Sequence, residues 1–543
     1  MSAVVGGEPQ RDSEAEARAE AAVFADARMQ AGDPRGELLA LELAAANTRD
    51  PLRARRIHRV AQVLRDRHPH QAWPELPGLD AVPLQIRAGF VLAAELYEGE
   101  GRSESLDGLG RLFDVDEARP ASHASASVLI RLLDHGAADH LRRLQLGGLA
   151  PAELDAAIER LAQQPGRLEL LGLGLSGPQQ LDALAPRLAK IAARGLRIEY
   201  DRVTSLLLGA AQERISLARA VVDPTLRVLS LAGYVDPRPL VDSAIEALDC
   251  WCRSASDLEQ IAALACLRRL CLRHDDGLQP LARAQGLEAL ALQIAQPVEL
   301  DVLSELPNLR NLALQEPSGR APSSLAGLTG LERLELRDAI PARLDELSAL
   351  AGLEVLGLRG GTNEPGPLDL GPLAELPRLR ALTLDLFSHT PRGCDLLHPL
   401  RSLTVIGRVD LRWFAGTALD ELTITGGIPP RVLPRLAELG PLRKLRLPAR
   451  VLEGIDGATL ARLLPELEEL ELFRATATLT PDQFAGFPRL RRLVLGDLGR
   501  GRARFFAEEL PEVVVETLTP ISDPLGLAAP FDWRSAGWPR DVH

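Results

Sequence analysis

A chain of 543 residues, 46% hydrophobic and 25% charged, can bury a large core in water. Its formal net charge of −13 excludes a general cationic surface for polyanions, although a local basic patch stays open. Five cysteines are an odd, low count that argues against a disulfide framework. The first residues lack a basic-then-apolar secretory pattern, and no run of about 18 uncharged apolar residues occurs, so the expectation is a cytoplasmic protein with no membrane span. Positive charge is almost all arginine, the lysines being Lys190 and Lys444, as in the product of a G- and C-rich genome.

In chain order, residues 12 to 48 predict helices broken at "AGDPRGELLALELAAA". Asp33 can cap free N–H groups, Pro34 suits a first helical position, and Gly32 suits the end of the preceding helix. A further basic helix, "PLRARRIHRVAQVLRDRH", places Ile57, Val60, Ala61 and Leu64 on one face. "VFADARMQAGDPRGELLALE" (23 to 42), Trp73 and "IRAGFV" (86 to 91) resemble the bacterial "repeat-companion" domain of myxobacteria and planctomycetes. The sequence departs from that family at Asp26-Ala27-Arg28. The resemblance implies a small helical domain over residues 1–97, with no activity of its own and with repeats downstream.

Those repeats follow. From residue 141 the pattern L-x-x-L-x-L recurs, its first positions being Leu141, Leu168, Leu226, Ile245, Leu267, Leu287, Leu309, Leu331, Leu353, Leu379, Leu400, Leu419, Leu442, Leu467 and Leu490. A degenerate copy, "LRIEY", stands at 196 to 200. The units from Leu267 to Leu331 start 20, 22 and 22 residues apart. Within "LERLEL" (331 to 336), Leu334 and Leu336 alternate to one face while Arg333 and Glu335 take the other. One such strand cannot bury its apolar side alone, but stacked parallel strands can.

This pattern resembles leucine-rich repeats. The implied fold class is α/β: a curved parallel sheet with helices and 3₁₀ turns outside, preceded by the small helical domain. The solenoid is expected over 98–519, with clear repeats over 141–498. Residues 520–543, with Trp533 and Trp538, form a C-terminal cap or tail. Helices are expected in the long early units, as in "PAELDAAIERLAQQPG" (151 to 166), and little more than turns, as in "PLAELPR" (372 to 378), in the shorter later ones. The family places Asn or Cys three residues after the third leucine. Here Ser176, Tyr234, Asp275, Ala295, Pro317, Ala339 and Gly361 stand there, so irregular turns are expected.

Signatures of catalysis are missing: no phosphate-binding GxxxxGK[ST], no HExxH and no GxSxG. No catalytic, cofactor or metal residues are assigned. The acid pair Glu469 and Glu471 shares a face but reads as a solvated surface. Cys250, Cys252, Cys266 and Cys271, with His274, crowd into "LDCWCRSASDLEQIAALACLRRLCLRHD". Their spacing departs from paired C-x₂-C zinc sites. The repeat register turns Cys250 inward and Cys271 outward and puts Cys252 just past its strand, so they read as small hydrophobes.

What remains is a surface. About sixteen strands at ~4.8 Å spacing give a concave ribbon roughly 75 Å long. Its candidate partner-binding residues are Trp251, Arg269, Arg273, Asn311, Arg333, Glu335, Arg337 and Arg359. An exposed tryptophan beside arginines has the composition of a protein-binding hot spot. The expected function is a non-catalytic scaffold, sensor or sequestering regulator, monomeric by itself, that binds another protein. Two alternatives are an enzymatic activity within the first 100 residues, whose histidines are His58, His68 and His70, and nucleic-acid binding by the arginines. The acidic balance weighs against the last.

Overall fold

A computed structural model describes residues 226 to 518 apart from short loops, together with separate segments before Leu226. In the front segment, Gly32 has φ +74° and its N–H donates to the Met29 carbonyl at 3.0 Å, an αL ending of the preceding turn. Ala61 is buried but Val60 is exposed, so the apolar stripe of that helix is narrower than its spacing suggests. An antiparallel hairpin, Asp80–Arg87 with Phe90–Tyr97, stands at the end of the segment expected to be helical. The second of its strands pairs in parallel with Glu117–Pro120, which pairs with Arg143–Leu146. The sheet thus starts ahead of the first recognisable repeat.

From Val228–Val235 to Val514–Leu518, fourteen strands run parallel in one sheet. Register is constant through its middle: Leu270, Leu290, Leu312, Leu334 and Leu356 are partners in sequence, as are Leu272, Leu292, Leu314, Leu336 and Leu358. All are 2% exposed or less, so the leucines form continuous columns under the sheet. A small second sheet, Pro367–Asp369 with Thr390–Arg392, lies apart.

The return segments obey a different period. Leu300, Leu303, Leu306 and Leu309 recur every three residues. The N–H of each of the last three donates to the carbonyl three residues earlier, at 2.9, 3.2 and 3.2 Å. Three residues per turn is the 3₁₀ repeat, which keeps i and i+3 on one line. Leu344, Leu347, Leu350 and Leu353 repeat the arrangement. One more step of three leads from Leu309 to Leu312, inside the strand Asn311–Gln315, and there the period switches to two.

Unit length does not decide where helices form, contrary to the expectation of turns in later units. Helices return at Gly457–Leu463 and Arg500–Glu509. The apolar spacing decides: Gly457, Leu460, Ala461 and Leu464 stand at i, i+3, i+4 and i+7, all buried, as do Leu154, Ala157, Ile158 and Leu161 of Pro151–Gln163. The helix Ala255–Ala262 also has a capping residue, Ser254, whose Oγ accepts from the Asp257 N–H at 3.2 Å.

Candidate functional site: the concave face

Strand register sorts the concave side chains of six adjacent strands into three rows. The first holds Ala247, Arg269, Ala289, Asn311, Arg333 and Val355. The middle row is Asp249, Cys271, Ala291, Ala313, Glu335 and Gly357, and the third Trp251, Arg273, Gln293, Gln315, Arg337 and Arg359. All eight residues singled out in the sequence lie here, but in different states.

The centre of the middle row, Cys271, Ala291 and Ala313, is a floor of small side chains. Cys271, Ala289, Ala291 and Ala313 form an apolar cluster of their own, separate from the leucine core. Flanking residues with longer side chains wall it in.

At one end of the third row the guanidinium of Arg273 stacks on Trp251, 4.7 Å from the ring centroid. At the other end Glu335, 7% exposed, holds two arginines: its Oε1 accepts from Arg337 Nε at 2.7 Å and lies 3.2 Å from Arg359 Nε. Gly357 provides the room, since a Cβ there would come within 3.1 Å of the Glu335 side chain. Glu335, Arg337 and Arg359 are therefore an internal ion cluster and not an open charged surface.

Arg269 is different. Its guanidinium makes no hydrogen bond or ion pair among the described residues. The nearest carboxylates are engaged elsewhere, Glu246 with Arg227 at 3.4 Å and Glu288 with Arg268 at 3.0 Å. Burial pulls Arg269 below the ordinary arginine value, and the fields of Glu246 and Glu288 oppose this. Asn311, two strands over in the row of Arg269, and Gln293, the strand partner of Arg273, are half-buried. Sequence reasoning passed over Gln293 and Asp249, although the register assigns both to this face.

The cysteines take their places in the packing. Cys250 and Cys252 belong to the leucine core, and Cys252 ends the strand Ala247–Cys252 instead of following it. Burial pushes the Cys250 and Cys271 thiols well up, Asp249 adding to the effect at Cys271, and Cys266 is exposed. His274 is 1% exposed, with Nδ1 3.2 Å from the Cys252 carbonyl and Nε2 3.3 Å from that of Gly277. It ties two successive turns together. Among the described residues no group of three or more His, Cys, Asp or Glu side chains is placed to hold a metal.

Further along, the charges close on one another. Glu469 lies 3.7 Å from Lys444 and 3.3 Å from Arg492, and Glu471 lies 2.7 Å from Arg446. His58, His68, His70 and residues 520–543 lie outside the described residues. No helix among the described residues is long and apolar enough to cross a membrane.

No family model matches the sequence, and no curated protein matches it. Solved structures similar to it include an internalin C2 of Listeria monocytogenes, 22% identical, covering 30% of this chain and 71% of that one, TM-score 0.24. An internalin F of the same organism is 17% identical over 72% and 89%, TM-score 0.28. A leucine-rich repeat protein of Leptospira interrogans is 17% identical over 71% and 98%, TM-score 0.29. In its own strand register and alternating 3₁₀ returns, the chain has the fold of a leucine-rich repeat solenoid.

Proposed function

We propose that this chain is a non-catalytic, monomeric interaction protein of the cytoplasm. Its concave face holds another protein, as a scaffold, sensor or sequestering regulator. The observation that carries this reading is the Trp251–Arg273 stack on the same strand pair as the half-buried Arg269, which makes no ion pair among the described residues, while Glu335 and Glu471 hold Arg337, Arg359 and Arg446. Aromatic and arginine anchors at the centre of a patch are the usual sources of interface energy. Five free thiols suit a reducing compartment.

Affinity capture from the source cells tests this, with wild type and a Trp251→Ala/Arg333→Glu variant as baits. The variant is expected to lose one or more proteins that the wild type retains. Recovery of the same proteins in equal amounts would end the concave-face reading.

A further inference from the structure

We infer that the partner presents an extended acidic segment, whose carboxylates are received by Arg269 and Arg273 over the floor of Cys271, Ala291 and Ala313. This rests on the interaction reading above and deepens it by giving the partner's chemistry.

On the concave face, Arg337 and Arg359 are held by Glu335, Arg446 by Glu471, and Lys444 and Arg492 by Glu469. Arg273 uses only the face of its guanidinium, on Trp251, and its N–H edge makes no hydrogen bond among the described residues. Arg269 uses none of its side-chain donors among the described residues, although it is partly desolvated and the carboxylates of Glu246 and Glu288 are bound by other arginines. A partly desolvated guanidinium without an anion is unfavourable, and an arriving carboxylate removes that cost with a bidentate contact.

The floor and amides define the rest of the ligand. Arg269 and Arg273 stand four residues apart on one strand, about 13 Å at strand rise. Two carboxylates at i and i+4 of an extended chain have the same separation. Gln293 is the strand partner of Arg273, and Asn311 stands two strands over in the row of Arg269, each side chain able to donate and accept. A peptide backbone offers both functions, whereas a phosphodiester offers acceptors only. The small floor lets a backbone approach closely. These features favour a peptide over a nucleic acid, in a chain whose net charge is −13.

The test is selection of a displayed random dodecapeptide library on the full chain, on Arg269→Glu/Arg273→Glu, and on Lys444→Ala as a control outside the patch. Circular dichroism verifies folding, and Arg269→Gln/Arg273→Gln replaces the double reversal if that variant does not fold. Wild type and control are expected to enrich peptides with Asp or Glu four residues apart. A synthetic copy of such a peptide should bind the double variant at least tenfold more weakly.

Enrichment without carboxylates, equal binding to the double variant, or selection of no peptide overturns the inference. Neutral or basic peptides lost on Trp251→Ala would end the acidic partner while leaving the concave face as an interaction site. Binding of a labelled thymidine 20-mer with no peptide selected would end both.

Discussion

At the scale of single residues, charge pairing separates structural arginines from available ones. Glu335 is the clearest structural residue: its side chain is 9% exposed and it neutralises two neighbours that are 11% and 17% exposed. Removing one member of a buried ion cluster leaves like charges together in a poor solvent. Glu335→Gln is expected to lower stability by about 3 kcal/mol, read as a lower urea midpoint by circular dichroism. Glu471→Gln is the comparison. Its pair with Arg446 is more open, 19% and 31% exposed, and the loss should stay under about 1 kcal/mol. Equal shifts would contradict the burial argument. Similar local logic fixes Gly360, whose φ is +95° and where a Cβ would lie 2.3 Å from Asp338 Oδ1 and 2.9 Å from its backbone N. The alternation of "LERLELR" (331 to 337) already put Arg333, Glu335 and Arg337 on one face. It did not reveal that Glu335 reaches across to Arg359, because that contact joins two strands separated by a whole return segment.

At the scale of elements, a second ladder runs beside the leucine columns. The residue after the first leucine of each unit reads Arg227, Glu246, Arg268, Glu288, Arg310 and Glu332, alternating in sign. Three neighbours close into exposed pairs, Arg227–Glu246, Arg268–Glu288 and Arg310–Glu332, at 3.4, 3.0 and 3.1 Å. The series then breaks, with Glu354 after Glu332 and Arg401 after Arg380, and alternation resumes through Asp420, Arg443, Glu468 and Arg491. A parallel sheet of near-identical strands needs such signals, since a slipped unit would set like charges together. The double swap Glu354→Arg/Arg380→Glu restores alternation along the whole ladder. It should raise stability by about 0.5 to 1 kcal/mol in low salt, the gain fading at high ionic strength. A melting temperature unchanged at low salt would show that the ladder contributes nothing. The strand motif was plain in the sequence, but the choice between 3₁₀ and α returns was misread. Unit length was the wrong variable; apolar spacing of three, or of three and four, decides it.

For the whole molecule, the solenoid has no closed core: each unit buries its leucines against the next, so an exposed end is a point of weakness. At the C-terminal end the helix Arg500–Glu509 packs Phe506, 0% exposed, against Phe484, with ring centroids 5.9 Å apart, and Val514–Leu518 covers the strand Arg492–Gly496. Ending the chain at Gly496 would bare Leu493 and Leu495 and leave an unpaired strand edge. Such a truncation is expected to elute as aggregates in size-exclusion chromatography with light scattering; a monomeric, folded product would show that this last unit is dispensable. The amino-acid sequence by itself determined the architecture: a leucine spacing that switches from three to two is read locally, unit after unit, and dictates a strand, a turn and a buried side. Only the tertiary structure decided which concave charges are internal. Glu335 with Arg359, Glu469 with Arg492, and Arg269 between the fields of Glu246 and Glu288 are set by neighbours one repeat away in the chain, and only strand register brings those neighbours within reach.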